Sequence, residues 1–192
     1  RLHNTTWVVN KSIDFLEKRD RNKPFFLMTS FIKPHPPFET PTPWNKLYRA
    51  PQMPMPKRPQ GMENLITYWN RYQNRYKFRD QGIDDNLIRT MKAAYYNCIS
   101  FIDYNINRLL EYMKKNNLME DTLIIYTSDH GEMLGDYNCF GKRCFLDSAA
   151  RIPMLMVHPE MQKGVKCSKP VSLVDIMPTL LEYAGITPVE NY

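Results

Sequence analysis

Glycine is scarce in this sequence, at 7 of 192 residues against 15 prolines. So few glycines leave little room for repeated tight turns, and the prolines point instead to long, stiff connecting segments. Long apolar runs are missing as well. No stretch approaches the roughly 18 residues of a membrane span, and the opening Arg-Leu-His-Asn is not a secretory signal. None of the four cysteines (Cys98, Cys139, Cys144, Cys167) shows Cys-x-x-Cys spacing, which removes the usual zinc and dithiol-redox patterns. Cys139 and Cys144 are near enough in sequence to bridge a loop, and a free pair fits equally well. Basic residues exceed acidic ones by 26 to 20, yet they are scattered and never interleave with aromatics in a binding motif. Nucleic acid is therefore not an expected partner.

What is present is the composition of an ordinary globular protein, 43% hydrophobic and 24% charged. At 192 residues the chain fits one domain able to bury roughly 70% of its unfolded surface. Val9, Ile13 and Leu16 recur at helical spacing within residues 5–18. Phe25 to Phe31 is a short, nearly continuous apolar run that reads as a strand covered on both faces. From about 33 to 80 the chain turns rich in proline, basic residues and aromatics without a sustained period. This reads as a long ordered excursion of the kind that often serves function, interrupted by a helix around Glu63 to Tyr72.

Asp84 is an N-cap candidate for a helix running to about Lys115, on which Leu87, Met91, Ala94, Cys98, Ile102, Leu109 and Met113 repeat. Leu123 to Thr127 and Pro153 to Val157 read as two more buried strands. Ser172 and Asp175 open a last helix that buries Leu173, Met177, Leu180 and Ala184, with Pro178 kinking its opening turns, and that stops at Gly185. Apolar strands alternating with helices predict an α/β domain with a mainly parallel sheet flanked by helices. Ligands of such sheets bind beyond the carboxyl ends of the strands.

Chemistry-bearing residues stand at those ends. Ser128-Asp129-His130-Gly131-Glu132 follows the second strand, and a carboxylate and an imidazole before a glycine turn could both face one cation. Read locally, the same residues could simply cap the next segment. His35 follows the first strand within Lys33-Pro34-His35-Pro36-Pro37, where three prolines lower the entropy of holding the ring in one place. A histidine so presented can donate a proton at neutral pH, or can merely pack. Lys142 sits beside Gly141, where a lysine can approach an oxyanion closely.

Taken in order, these segments resemble the sulfatase family of the alkaline phosphatase-like superfamily. FFLMTSFIKPHPPF is similar to its strand and active-site histidine, IIYTSDHGEMLGD to its second metal-binding turn, and FGKRCFLDSAARIPMLM to its lysine segment. PVSLVDIMPTLLEYAGI is similar to the helix that closes the domain. The resemblance implies an alkaline phosphatase-like fold in which residues 1–192 form one domain, a C-terminal piece of the catalytic domain. It implies a sulfuric ester hydrolase with His35 and Lys142 as catalytic residues and Asp129 and His130 as metal ligands. The implied cofactors are a divalent cation, Ca2+ or alternatively Mn2+, and a formylglycine nucleophile encoded upstream of Arg1.

The partners so implied are a sulfated small molecule or glycan, with a periplasmic or secreted location. Many family members carry Asn where His130 stands, and imidazole suits manganese as well as calcium. The nucleophile so implied is made from cysteine or, in some bacterial members, serine within a Cys/Ser-x-Pro/Ala-x-Arg motif; none of the four cysteines lies in one, so these residues alone are expected to be inactive. The alternatives are a phosphonate monoester or phosphodiester hydrolase of the same superfamily, and a non-catalytic binding module.

Overall fold

Two helices carry most of the packing in the computed structural model, which describes residues 2–72 and 83–187. The first, α1 (Asn4–Lys18), starts where the His3 ring nitrogen accepts the Thr5 amide at 3.2 Å. Its buried stripe is Thr5, Val9, Ser12 and Leu16, and it lies on the long helix α2 (Asp85–Lys115). Asp84 caps α2 by accepting the Asn86 and Leu87 amides, as its position in the sequence predicts. The buried face of α2 includes Ile88, Ala93, Cys98, Phe101, Ile102 and Met113, whereas Leu87 is half exposed. The apolar stripe therefore lies one residue further round at the N-terminal turns than the spacing of Leu87 and Met91 indicates.

The excursion after residue 33 is ordered as far as it is described; its stretch 73–80 lies outside the described residues. Short 3₁₀ turns at Trp44–Lys46 and Ala50–Gln52 dock on α2, and a third spans Met62–Asn64. The Tyr48 amide donates to Asn97 Oδ1 at 3.1 Å, and Trp44 packs on Phe101 and Tyr104. In place of a helix from 63 to 72 there is that 3₁₀ turn and then helical backbone over 68–72.

Strand β1 (Ile124–Thr127) pairs with β2 (Met154–Val157), with Ile124 opposite Val157 and Thr127 opposite Met154. The pairing is antiparallel, so the parallel order expected of the sheet is not what these two strands show. Residues 25–31 form no strand: half-buried positions alternate with exposed ones, but no described strand lies beside them to make a ladder. They are tied instead to α1, where Ser12 Oγ and Thr29 Oγ1 are 3.0 Å apart.

After β1 the chain forms a loop, the short helix α3 (Asp147–Ala150), and β2. Met133, Cys139 and Ala149 make a second small core there, with Ile66, Tyr137, Cys144 and Leu146 packed around it. The last helix, α4 (Ile176–Tyr183), begins where Asp175 accepts the Ser172 amide at 2.7 Å and ends at Gly185, whose φ is +66°. Its expected burial is not observed. Leu173 and Met177 are 37% and 49% exposed, and no residue of α4 is buried among the described residues. Pro178 lies in its first turn, where an amide has no intrahelical partner to lose. Among the described residues no helix is long and apolar enough to cross a membrane.

Candidate active site

Asp129 and His130 leave the end of β1 and are held by their own backbone. The His130 amide donates to Asp129 Oδ1 at 2.9 Å, and Ser128 Oγ donates to the His130 carbonyl at 2.9 Å. His130 Nδ1 lies 2.8 Å from the Gly131 carbonyl. A carbonyl only accepts, so Nδ1 carries the proton and Nε2 of the neutral ring keeps its lone pair. That lone pair is 3.4 Å from Asp129 Oδ2, whose side chain is 80% exposed. Two facing lone pairs at this distance repel unless a proton or cation lies between them. A second hydrogen bond that fixes the tautomer is also how metal-ligating histidines are generally held.

The residues thus fit a divalent cation, with two ligands, and among the described residues no group of three ligating side chains gathers. A carboxylate beside an imidazole suits manganese or zinc as well as calcium.

Gly131 follows because nothing larger fits. Its amide donates to the Ala149 carbonyl at 2.7 Å, and a Cβ there would meet the Ser148 carbonyl oxygen at 2.2 Å. Helix α3 is pressed against the turn that carries Asp129 and His130.

The backbone just before Lys142 is tied to the same loop through Gly141. The Gly141 amide donates to Glu132 Oε1 at 2.5 Å, and its carbonyl accepts the Met133 amide at 2.9 Å. Lys142 itself is half-buried between Gly141 (φ +78°) and Arg143 (φ +91°), two left-handed positions. Leu134, Tyr137 and Asn138 also have positive φ. Non-glycine residues hold such backbone only where the surroundings over-determine it, and functional loops are where this gathers. Asp136 supplies part of that constraint. It accepts Ser148 Oγ at 2.6 Å and the Lys57 amide at 2.8 Å, and lies 3.9 Å from the Lys92 ammonium, which is 7% exposed. Burial pulls the Lys92 ammonium below its ordinary pKa, and the Asp136 carboxylate opposes that shift.

His35 stands on a separate loop over α2. Its amide donates to the Ile32 carbonyl at 3.0 Å, and its Nδ1 donates to the Pro36 carbonyl at 2.8 Å. Lys33 is buried and donates through Nζ to the Pro37 carbonyl, with Glu39 Oε1 at 3.7 Å. Phe38 packs edge-on against Tyr95 of α2 at 5.4 Å, and Cys98 Sγ donates to the Glu39 carbonyl at 3.6 Å. Burial, seconded by the Glu132 carboxylate, pushes the Tyr95 phenol up to about 12. Helix α2 therefore meets both loops, through Tyr95 and Lys92.

The structure thus joins Asp129 to His130 directly and ties the backbone before Lys142 to the residues just after them. No described bond links His35 to either. Lys33, Glu132, Asp136 and Tyr95 were not singled out by sequence reasoning. Glu132 does lie inside the metal-turn segment, but its partner is nine residues away and follows no periodicity.

The sulfatase family profile matches residues 3–186. The chain belongs to the sulfatase family. An arylsulfatase of Clostridium perfringens (strain 13 / Type A) is 36% identical to it over 199 aligned positions, covering 97% of this chain and 39% of that protein. The multifunctional alkaline phosphatase superfamily protein PehA of Trinickia caryophylli is 32% identical, covering 94% and 38%. Among solved structures, the phosphonate monoester hydrolase of Silicibacter pomeroyi superposes with a TM-score of 0.81 at 30% identity, covering 95% of this chain and 38% of that one. The sulfatase-family chain therefore has the alkaline phosphatase-like fold of that neighbour, as a partial domain, and spans about two fifths of the length of the relatives it matches.

Proposed function

We propose that the full-length protein is a metal-dependent sulfatase in which Asp129 and His130 bind a divalent cation. Lys142 binds the sulfate, and His35 donates to the departing oxygen. The observation that carries this reading is the His130 Nε2 lone pair held 3.4 Å from Asp129 Oδ2 at the end of β1. A bound cation would supply positive charge to the ester oxygens. A formylglycine nucleophile encoded outside residues 1–192 belongs to the same reading. Lys142 is presented by two left-handed neighbours and is half-buried, which strengthens its attraction for an anion relative to a lysine in bulk water. A sulfated small molecule or glycan is the substrate class.

A second reading, hydrolysis of phosphonate monoesters or phosphodiesters, is favoured by the likeness to PehA and to the Silicibacter hydrolase. The full-length protein is tested on an aryl sulfate, an aryl phosphonate monoester and an aryl phosphodiester. Sulfatase activity is expected to have the highest kcat/KM and to be lost on chelation. A higher kcat/KM on either phosphorus ester would reverse the order of the two readings. Asp129→Asn is expected to lower bound metal as measured by elemental analysis, and unchanged metal content would remove the ligand assignment.

A further inference from the structure

We infer that Glu132 is a positioning residue that holds Lys142 in register with the Asp129–His130 turn; this rests on the sulfatase reading for its catalytic consequence, though not for its geometry. Glu132 immediately follows Gly131 and spends its carboxylate inside the protein. Oε1 accepts the Gly141 amide at 2.5 Å and the Leu134 amide at 3.3 Å. The Met133 amide then donates to the Gly141 carbonyl at 2.9 Å. Both backbone polar groups of the residue before Lys142 are thereby bound to the two residues that follow Gly131.

Gly141 has φ +78°, which glycine adopts as readily as a negative φ, so the contacts around it and not its own preference select that orientation. With the carboxylate gone, the Gly141 amide loses its described acceptor, and of the two hydrogen bonds described for residue 141 the Met133–Gly141 bond remains. A displacement of about 1 Å in a charge-stabilising group is enough to cost roughly 10²-fold in rate. Glu132 makes this contact with a side-chain oxygen, and its acceptor role does not need the charge. Glutamine can reproduce the geometry, and alanine cannot.

The test uses Glu132→Gln, Glu132→Ala, Lys142→Ala and the double Glu132→Ala/Lys142→Ala variant of the full-length protein. On an aryl sulfate, Glu132→Ala is expected to lose about 10²-fold in kcat/KM. Glu132→Gln should recover to within about threefold of wild type. The double variant is expected to be little worse than Lys142→Ala, because Glu132 acts through that lysine. Metal content should remain at the wild-type level in both single Glu132 variants. Fully additive losses in the double variant, or a Gln variant as impaired as Ala, would overturn the assignment.

Amide hydrogen exchange over residues 139–146 reads the tether without any turnover. Glu132→Ala should exchange about tenfold faster there and Glu132→Gln should not. If the wild-type protein hydrolyses none of the esters, the functional reading fails, and exchange alone decides whether Glu132 is the tether. Unchanged exchange in Glu132→Ala rejects the inference outright. Should the alanine variant fail to fold, a glutamine variant that exchanges faster over 139–146 and loses activity rejects it equally.

Discussion

With Nδ1–H given to the Pro36 carbonyl, the His35 ring can donate from Nε2 only when it is protonated. Its contribution should therefore grow with the need of the leaving group for a proton. On the proposed sulfatase reading, His35→Ala in the full-length protein is expected to hurt esters of poor leaving groups such as sugar hydroxyls far more than activated aryl sulfates. Lys142→Ala should lower kcat/KM for both by roughly 10²-fold or more. Rates across esters of rising leaving-group pKa check this, and a His35→Ala slope equal to wild type would remove the role. Tyr95 gives a prediction independent of activity. Its phenol, raised from 10.0 to about 12, stays neutral where an exposed tyrosine ionises. Stability contributed by that neutral phenol is complete below pH 10 and is lost as pH rises toward 12. Ultraviolet titration should show a late-ionising phenol that disappears in Tyr95→Phe, and no change in the high-pH limb would exclude it. At this scale Asp129, His130, His35 and Lys142 could be nominated as candidates because glycine, proline or a strand end sits beside each. Glu132 and Asp136 were not, since their partners depend on how the loop closes.

Elements divide in the same way. The limits of α2 could be read from Asp84 and the helical repeat because a cap and a stripe are local properties. The state of residues 25–31 could not, because a strand is defined by a neighbour. Contacts between elements yield two stability predictions. Gly131→Ala drives a methyl into the Ser148 carbonyl and should cost about 3 kcal/mol or more. Gly164→Ala meets nothing within 4 Å and carries only the left-handed penalty at φ +73°, about 1 kcal/mol. Denaturant midpoints separate the two, and equal losses would mean that α3 moves aside. Asp136→Ala removes the acceptor of Ser148 and Lys57 and strands the buried Lys92, at about 3 kcal/mol. Adding Lys92→Met should restore a good part of that. A double variant no more stable than Asp136→Ala would show that the ammonium is not the source of the loss.

For the molecule as a whole, large apolar side chains remain exposed on two separate segments. Phe26, Met28 and Ile32 are 71–76% exposed, and Leu155 and Val157 on β2 are above 50%. The chain covers about two fifths of its relatives' length, and the family assignment was legible because four separate segments keep their order along it. Residues 1–192 alone are expected to turn over no aryl sulfate, since none of the four cysteines lies in a Cys-x-Pro/Ala-x-Arg motif. Turnover by the purified chain, free of contaminating enzyme, would refute this. The closure of residues 132–141 also bears on how such a protein can diverge. A segment pinned at both ends, with its backbone angles spent on making the turn, has a fixed length. An insertion or deletion of one residue between Glu132 and Gly141 should abolish the tether, whereas the open turn around Gly164 can lengthen freely. Variation in length among descendants of this sequence is expected on the Gly164 side and not between the Asp129–His130 turn and Lys142.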